Sequence, residues 1–312
     1  MIEVTRITKT FQNKKAVDSL SFRLEKGEIV GLLGLNGAGK TTTIRILTGF
    51  LIPTMGEAKI GGASIFEEPR LAKQSIGYLP ETPPLYEDFT VYEYLEFVSR
   101  IKSVPVSEIP AGIQKIAAKT NLTDVIHRRV GDLSLGFRKR VGIAQALLGE
   151  PKVVILDEPI SGLDPKQIIE IRNLIRSLKG EQTVLISSHI LTEIYKTCDK
   201  FLLIHNGKLK QEITLEELES RMQKIAGVKL RLRANSKEDV ESFLKQISLE
   251  ENADTNWNIS SEDNSHFVIF GNPKQEDKWK YQLFKNAPDS KITLDYVEKR
   301  EVNLEEFFLE TV

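Results

Sequence analysis

Apolar and polar residues alternate over Val4–Phe11 and Ser19–Leu24, the period of half-buried strands, and Lys26-Gly27 is the turn that follows. Ile29–Leu33 is instead a short unbroken apolar run, the pattern of a strand covered on both faces. A glycine-rich stretch then leads into Lys40–Leu51, where Ile44, Leu47 and Leu51 recur at helical spacing. From about Pro80 to Gly149 the strand signal fades and helical spacing takes over. Thr90-Val-Tyr-Glu93 is a capping-box pattern ahead of Val91, Leu95, Val98 and Ile101, so it predicts a helix start. Val153–Leu156 and Thr183–Ser187 are again short apolar runs, with a helix predicted over Pro165–Leu178 between them. Strands alternating with helices predict a parallel sheet covered on both faces. Phe201–Ile204 and Lys208–Glu212 flank Asn206-Gly207, a two-residue hairpin signal. Thr214-Leu-Glu-Glu217 caps a helix that ends near Gly227.

Beyond Gly227 the order changes. Strands at Val228–Arg233, Trp257–Ser260, His266–Phe270 and Ile292–Val297 and helices at Lys237–Ile247 and Gln275–Asn286 give β-α-β-β-α-β, the order of a ferredoxin-like unit. A short helix over Leu304–Leu309 is expected to close the chain, with Trp257 and Trp279 as core residues. The charge balance shifts at the same place, +4 over residues 1–227 and −5 over 228–312. At 312 residues two domains are expected, and a net charge of −1 argues against a chain that wraps nucleic acid through bulk positive charge. A lone Cys198 excludes an intramolecular disulfide and fits a reducing compartment. The first residues alternate like a strand and lack the apolar block of a signal peptide, and no apolar run approaches the ~18–20 residues that cross a bilayer, so no membrane span is expected.

Gly34-Leu35-Asn36-Gly37-Ala38-Gly39-Lys40-Thr41 matches the G-x-x-x-x-G-K-[ST] phosphate loop in full, after a buried strand and opening a helix that continues with Thr42. Chance produces this pattern in roughly one chain of this length in a hundred. Glycines let successive N–H groups turn inward around a phosphate, and the helix N-terminus adds its positive dipole end. Lys40 is placed to reach the β- and γ-phosphates and the Thr41 hydroxyl to ligate Mg²⁺. Val153-Val-Ile-Leu-Asp157-Glu158 is an apolar strand ending in two acids with separate work. Asp157 belongs to the Mg²⁺ shell, and Glu158 can orient or deprotonate an attacking water. Ser188-His189, at the exit of the neighbouring apolar strand, puts His189 within reach of the γ-phosphate. No Asn-Lys-x-Asp guanine-reading segment is present, which disfavours a GTPase.

Gly131-Asp-Leu133-Ser134-Leu135-Gly136-Phe137-Arg138, just upstream of the acidic strand, resembles the signature loop of the ATP-binding subunits of ABC transporters. Ser161-Gly-Leu-Asp164 resembles their D-loop, Ser188-His189 their switch histidine, and Phe11, 23 residues before Gly34, the aromatic they stack on adenine. The resemblance covers residues 1 to about 212. It implies an α/β P-loop NTPase of ABC type, with a β-subdomain and a helical subdomain over about 81–149. A connecting helix at 213–227 and a small α+β C-terminal domain at 228–312, ferredoxin-like in element order, would follow. It further implies an ATP-hydrolysing subunit with ATP and Mg²⁺ as cofactors, paired head to tail with a second ATPase subunit. Such a subunit docks on separate transmembrane permease subunits from the cytoplasmic face of the membrane, and direct nucleic-acid binding is not expected. Ser134 and Gly136 would then donate to the γ-phosphate on the partner subunit, and Asp164 would act across the same interface. Ser134 and Asp164 also suit the N-caps of the helices they precede. The segment Pro83–Ser99 is where the family meets its membrane partner, with Tyr86, Tyr92, Tyr94 and Phe97 as contacts or as helix core.

Three departures stand out. Glu81 occupies the place of the family's glutamine, and its carboxylate can ligate Mg²⁺. The signature reads Leu-Ser-Leu-Gly-Phe rather than Leu-Ser-Gly-Gly-Gln. Leu135 is expected to be costly in glycine-only backbone angles, and Phe137 brings no amide. Arg138 and Lys139 are expected to offset the missing donors in part. These variants, and the closing segment Asn303-Leu-Glu-Glu-Phe-Phe-Leu-Glu310, resemble the bacterial type-2 exporters of the gliding-motility and drug-resistance type. A competing reading is a soluble ATPase of the same type acting on nucleic acid or ribosomes. Such proteins carry two cores, long coiled coils or basic arms, whereas this chain has one core, no sustained heptads and an acidic C-terminal part. For that part the element order admits a ligand sensor or a dimer brace.

Overall fold

The unbroken apolar runs become the middle of a sheet. In a computed structural model, described here over residues 1–225, 227–249, 258–261, 265–271, 281, 283–286 and 292–300, the chain divides into two compact units after Leu215. The first begins with β1 (Ile2–Phe11), β2 (Lys14–Leu24), β3 (Ile29–Leu33), α1 (Lys40–Leu47), β4 (Met55–Ile60), β5 (Ala63–Ser64), α2 (Pro69–Gln74) and β6 (Ile76–Leu79). Three longer helices follow, α3 (Val91–Ile101), α4 (Ile109–Lys119) and α5 (Leu135–Leu147). Then come β7 (Val153–Asp157), α6 (Pro165–Arg176), β8 (Thr183–Ser188), α7 (Leu191–Ile194), β9 (Lys200–His205) and β10 (Lys208–Thr214).

Every residue of β3, β7 and β8 is buried, as expected of parallel strands covered on both faces. They lie at the centre of a six-stranded sheet ordered β10-β9-β3-β8-β7-β6, parallel except for β10. A second, antiparallel sheet is ordered β2-β1-β4-β5. One apolar core joins the two sheets, drawing Val4, Leu20 and Phe22 from one and Leu32, Ile155, Leu185 and Leu202 from the other, with Ile44 and Leu47 of α1. Parallel strands all end at the same edge, so the segments after β3, β7 and β8 are brought together by topology.

The helix expected over Lys40–Leu51 stops at Leu47. Gly49 takes φ +69°, its N–H donates to Ile46 O and that of Phe50 to Arg45 O, the Schellman closure. The Thr90–Glu93 capping box is formed, with Thr90 Oγ1 accepting from Glu93 N at 3.2 Å and Thr90 N donating to Glu93 Oε2 at 2.8 Å. Asn206 and Gly207 both have positive φ, as the tight hairpin β9–β10 requires, and β10 runs two residues beyond the expected Glu212.

Helix α5 lies very close to β6. A Cβ on Gly77 would stand 2.1 Å from Ala146 O, and one on Gly142 2.5 Å from Leu79 Cδ1. Gln145 Nε2 donates to Tyr78 O at 2.6 Å. At the far end of α5, the half-buried Lys102 donates from Nζ to the carbonyls of Gln145, Ala146 and Leu148, which the helix itself leaves open.

The second unit holds α8 (Leu215–Ile225) from Glu216 on, β11 (Gly227–Arg233), α9 (Lys237–Leu249), β12 (Asn258–Ser261), β13 (His266–Gly271) and β14 (Thr293–Arg300). Residues 283–286 are helical. Its sheet is antiparallel and ordered β12-β13-β11-β14, the ferredoxin-like arrangement, over a core of Leu230, Leu232, Val240, Phe243, Leu244, Phe267, Ile269 and Leu283. Trp257, Trp279, the expected Leu304–Leu309 helix and the Asn303–Glu310 segment lie outside the described residues.

Candidate active site

Two glycines of the phosphate loop are dictated by backbone on either side. A Cβ at Gly34 would stand 2.4 Å from Ile204 O, and at Gly39, where φ is +109°, 2.5 Å from Ala16 O. Gly39 is also the N-cap of α1, so no side chain caps that helix. The N–H groups of its first turn face the loop, the arrangement that receives a phosphate. Lys40 is buried, and its Nζ donates to Gly34 O at 2.6 Å and more weakly to Leu35 O. Burial pulls the ammonium below the usual lysine range, against the opposing pull of Glu158, Asp157 and Glu81.

Asp157 ends β7 and is buried. Burial raises its carboxyl above the usual range, partly countered by the hydrogen bond it accepts from Ser187 Oγ. The same hydroxyl accepts from Glu158 N at 3.0 Å. Glu158 leaves the strand with φ +49°, a backbone turn uncommon outside glycine. His189 Nδ1 lies 3.0 Å from Glu158 Oε2. A cleft of about 660 Å³ collects Phe11, Asn36, Gly37, Gly39, Lys40, Thr41, Thr42, Glu81, Glu158 and His189 on one surface. Phe11 stands 47% exposed with Lys9 Nζ 5.3 Å from its ring centroid, so it is a rim residue and not core.

Among the described residues no three His, Cys, Asp or Glu side chains form a metal cluster. Oxygen donors from Thr41, Asp157 and Glu81 around a phosphate loop nevertheless suit Mg²⁺, which takes one or two carboxylates and completes its shell with water and substrate phosphate.

Ser134, Gly136 and Asp164 are not among the residues lining this cleft. Ser134 caps α5, accepting from Phe137 N at 3.5 Å, and Asp164 caps α6, accepting from Gln167 N at 2.9 Å. The Gln167 amide packs over Gly136, within 2.6–3.0 Å of where a Cβ would be. Two expectations about this loop are corrected. Leu135 needs no glycine-only angles, because it is the first residue of α5 and absent from the positive-φ residues. Arg138 and Lys139 do not replace the missing donors, because both are engaged at home. Arg138 donates to Leu133 O and Gly131 O, and Lys139 Nζ donates to Glu81 O at 2.8 Å and Glu158 O at 3.1 Å. Of the aromatics expected at Pro83–Ser99, Tyr94 is core while Tyr86 and Phe97 are exposed, joined by the unforeseen Phe89.

The sequence reading missed Lys14, Lys15, Asn206 and Gly207 on the cleft and Ser187 behind it. The basic pair that opens β2 is a usable signal; Ser187 reads as an ordinary strand residue.

A phosphate loop between buried parallel strands, two acids ending β7, a histidine against the second acid, and a signature helix set apart from the cleft define an ATP-hydrolysing cassette. The ABC transporter family model matches residues 17–161. The chain is 41% identical over 226 residues to the bacitracin transport ATP-binding protein BcrA of Bacillus licheniformis, covering 72% of this chain and 73% of that protein. It is 40% identical over 225 residues to the ABC transporter ATP-binding protein NatA of Bacillus subtilis, covering 70% and 91%. The solved structure of an ATP-binding subunit of an ABC transporter superposes with a TM-score of 0.64 at 31% identity, covering 71% and 92%. The chain belongs to the ABC transporter family as one of its ATP-binding subunits, of the bacterial type-2 group. It is an ATPase. Among the described residues no helix is long and apolar enough to cross a membrane.

Proposed function

We propose that this subunit works as a head-to-tail pair, beneath separate transmembrane subunits at the cytoplasmic face of the membrane, and drives export. The observation that carries the hydrolytic part is the Glu158–His189 pair on the cleft that Lys40 and Thr41 also line. ATP enters with adenine against Phe11 and its phosphates in the loop of Gly34–Lys40. Thr41, Asp157 and Glu81 would hold Mg²⁺, and the ion would supply neutralisation of charge on the phosphates. Glu158 takes a proton from water as the water oxygen attacks the γ-phosphorus and ADP departs with the electrons of the broken P–O bond. His189 steadies Glu158 through Nδ1–H, and a hydrogen bond between Nε2 and a γ-phosphate oxygen then requires a proton on one of those two atoms. Ser134 and Gly136 complete the site on the other subunit, which agrees with their place away from their own cleft, and Asp164 caps α6 at that same face.

Export draws its support from the type-2 signature and from a relative named for bacitracin transport. Docking draws its support from an exposed aromatic cluster, in which the Tyr86 ring lies 5.4 Å from Phe89 and 5.5 Å from Phe97. Such a patch marks an interaction surface. The test is purification from native membranes in detergent with ATP, using Glu158→Gln to hold the pair closed. A polytopic membrane protein is expected to copurify, and to be lost with Tyr86→Glu. Recovery of ribosomes, nucleic acid or the soluble pair alone would remove the transport reading and leave the ATPase standing.

A further inference from the structure

Lys139 is the one signature-helix side chain whose charge is turned inward onto the catalytic loops. It is 4% exposed, and its ammonium bridges two main-chain carbonyls from different segments, Glu81 O after β6 and Glu158 O after β7. A buried ammonium needs acceptors, so both contacts are held strongly. The approach is fixed by the helix face it belongs to. Lys139, Gly142 and Gln145 follow one another at intervals of three. Gly142 lets Leu79 come close, and Gln145 holds Tyr78 O at 2.6 Å. The face of α5 that begins at Lys139 is thus fastened to β6 and to the loop bearing Glu81. The remaining contact, to Glu158 O, reaches a residue held at φ +49°, where the carbonyl direction and the side-chain direction are set together.

We propose that Lys139 is a positioning residue for hydrolysis: it ties the helix that carries the signature to the main chain of Glu158 and Glu81, so that engagement of the signature aligns the carboxylates of the same subunit. This rests on the reading of Glu158 as the base and of Ser134–Gly136 as the part that meets the other subunit's ATP. A displaced signature helix moves Nζ, Nζ moves the Glu158 carbonyl, and the carboxylate loses its place beside His189. Ground-state binding of ATP by Lys40 and the loop does not pass through this bridge.

The test uses the full chain carrying Lys139→Met, an unbranched apolar side chain one atom shorter and without the donors, and Lys139→Gln, which has the same reach as Met but keeps an N–H₂ donor. Turnover with Mg·ATP, affinity for a fluorescent ATP analogue and the thermal midpoint are measured for each, alongside Glu158→Gln. Lys139→Met is expected to lower kcat by about tenfold to a hundredfold, the size of effect that a small misplacement of a reacting group produces, with KM and analogue affinity within about threefold. Lys139→Gln is expected to recover most of that loss. Wild-type kcat in Lys139→Met, with Glu158→Gln inactive, would overturn the proposal alone. A parallel fall of kcat, affinity and thermal midpoint in both Lys139 variants would show a packing role only and overturn it too. Wild-type kcat in Glu158→Gln would overturn the base assignment and, with it, this inference.

Discussion

Two helix starts, α1 and α5, meet phosphate chemistry in opposite ways. α1 begins behind Gly39 with no side-chain cap and φ +109°. α5 begins behind Ser134, whose hydroxyl accepts from Phe137 N, and its first residue is an ordinary helical leucine. The first-turn N–H groups of an uncapped helix lack an internal acceptor, so an anion completes that end. A capped helix is finished by its own residue, and any contact it makes outward is added to a structure already closed. The cleft side of the molecule is therefore built to need its ligand, whereas the signature side is folded in advance and waits for a second surface.

The sharpest break of that contrast is Glu158→Gln, which leaves both helix starts intact and removes the base. Turnover should fall by roughly 10²–10⁴ while ATP still binds, and the ATP-bound pair should persist on gel filtration. Lys40→Ala strips the charge from the uncapped start. Nucleotide affinity should drop about tenfold to a hundredfold by equilibrium titration, the loss of a charge-assisted hydrogen bond, with the apo fold retained. Ser134→Ala touches the capped start and should do two smaller things at once. It should cost about 1 kcal/mol of stability in denaturant melts and lower turnover without altering nucleotide affinity in the isolated subunit. If Ser134→Ala weakened binding as Lys40→Ala does, the division between a ligand-completed start and a self-completed one would fail.

The middle of the parallel sheet was legible because β3, β7 and β8 are buried on both faces and so print as unbroken apolar runs, whereas its edge strand β6 is only half buried and did not stand out; the phosphate loop was legible because its glycines are forced by backbone at 2.4 and 2.5 Å. The capping box at Thr90 and the hairpin at Asn206-Gly207 were legible because each encodes a local hydrogen bond or backbone angle. β4 was not, since only Ala58 and Ile60 of its six residues are buried and the rest reads as polar loop. The inward turn of Lys139 was hidden for a different reason. A basic residue next to Arg138 and Arg140 looks like one charge in a solvated run, and only the packing of α5 on β6 separates the three. The ordinary angle at Leu135 does not show in its departure from glycine, because it is the Ser134 cap that sets that residue into the helix.

The backbone of Glu158 carries one more consequence. A φ of +49° suits glycine better than glutamate, so the residue that performs the chemistry stands where another would fold at lower cost. Selection for stability alone would favour Gly at position 158, and selection for turnover forbids it. The cassette therefore sits on a trade-off located at a single residue, and a screen of variants ranked by melting temperature should enrich dead enzymes there first.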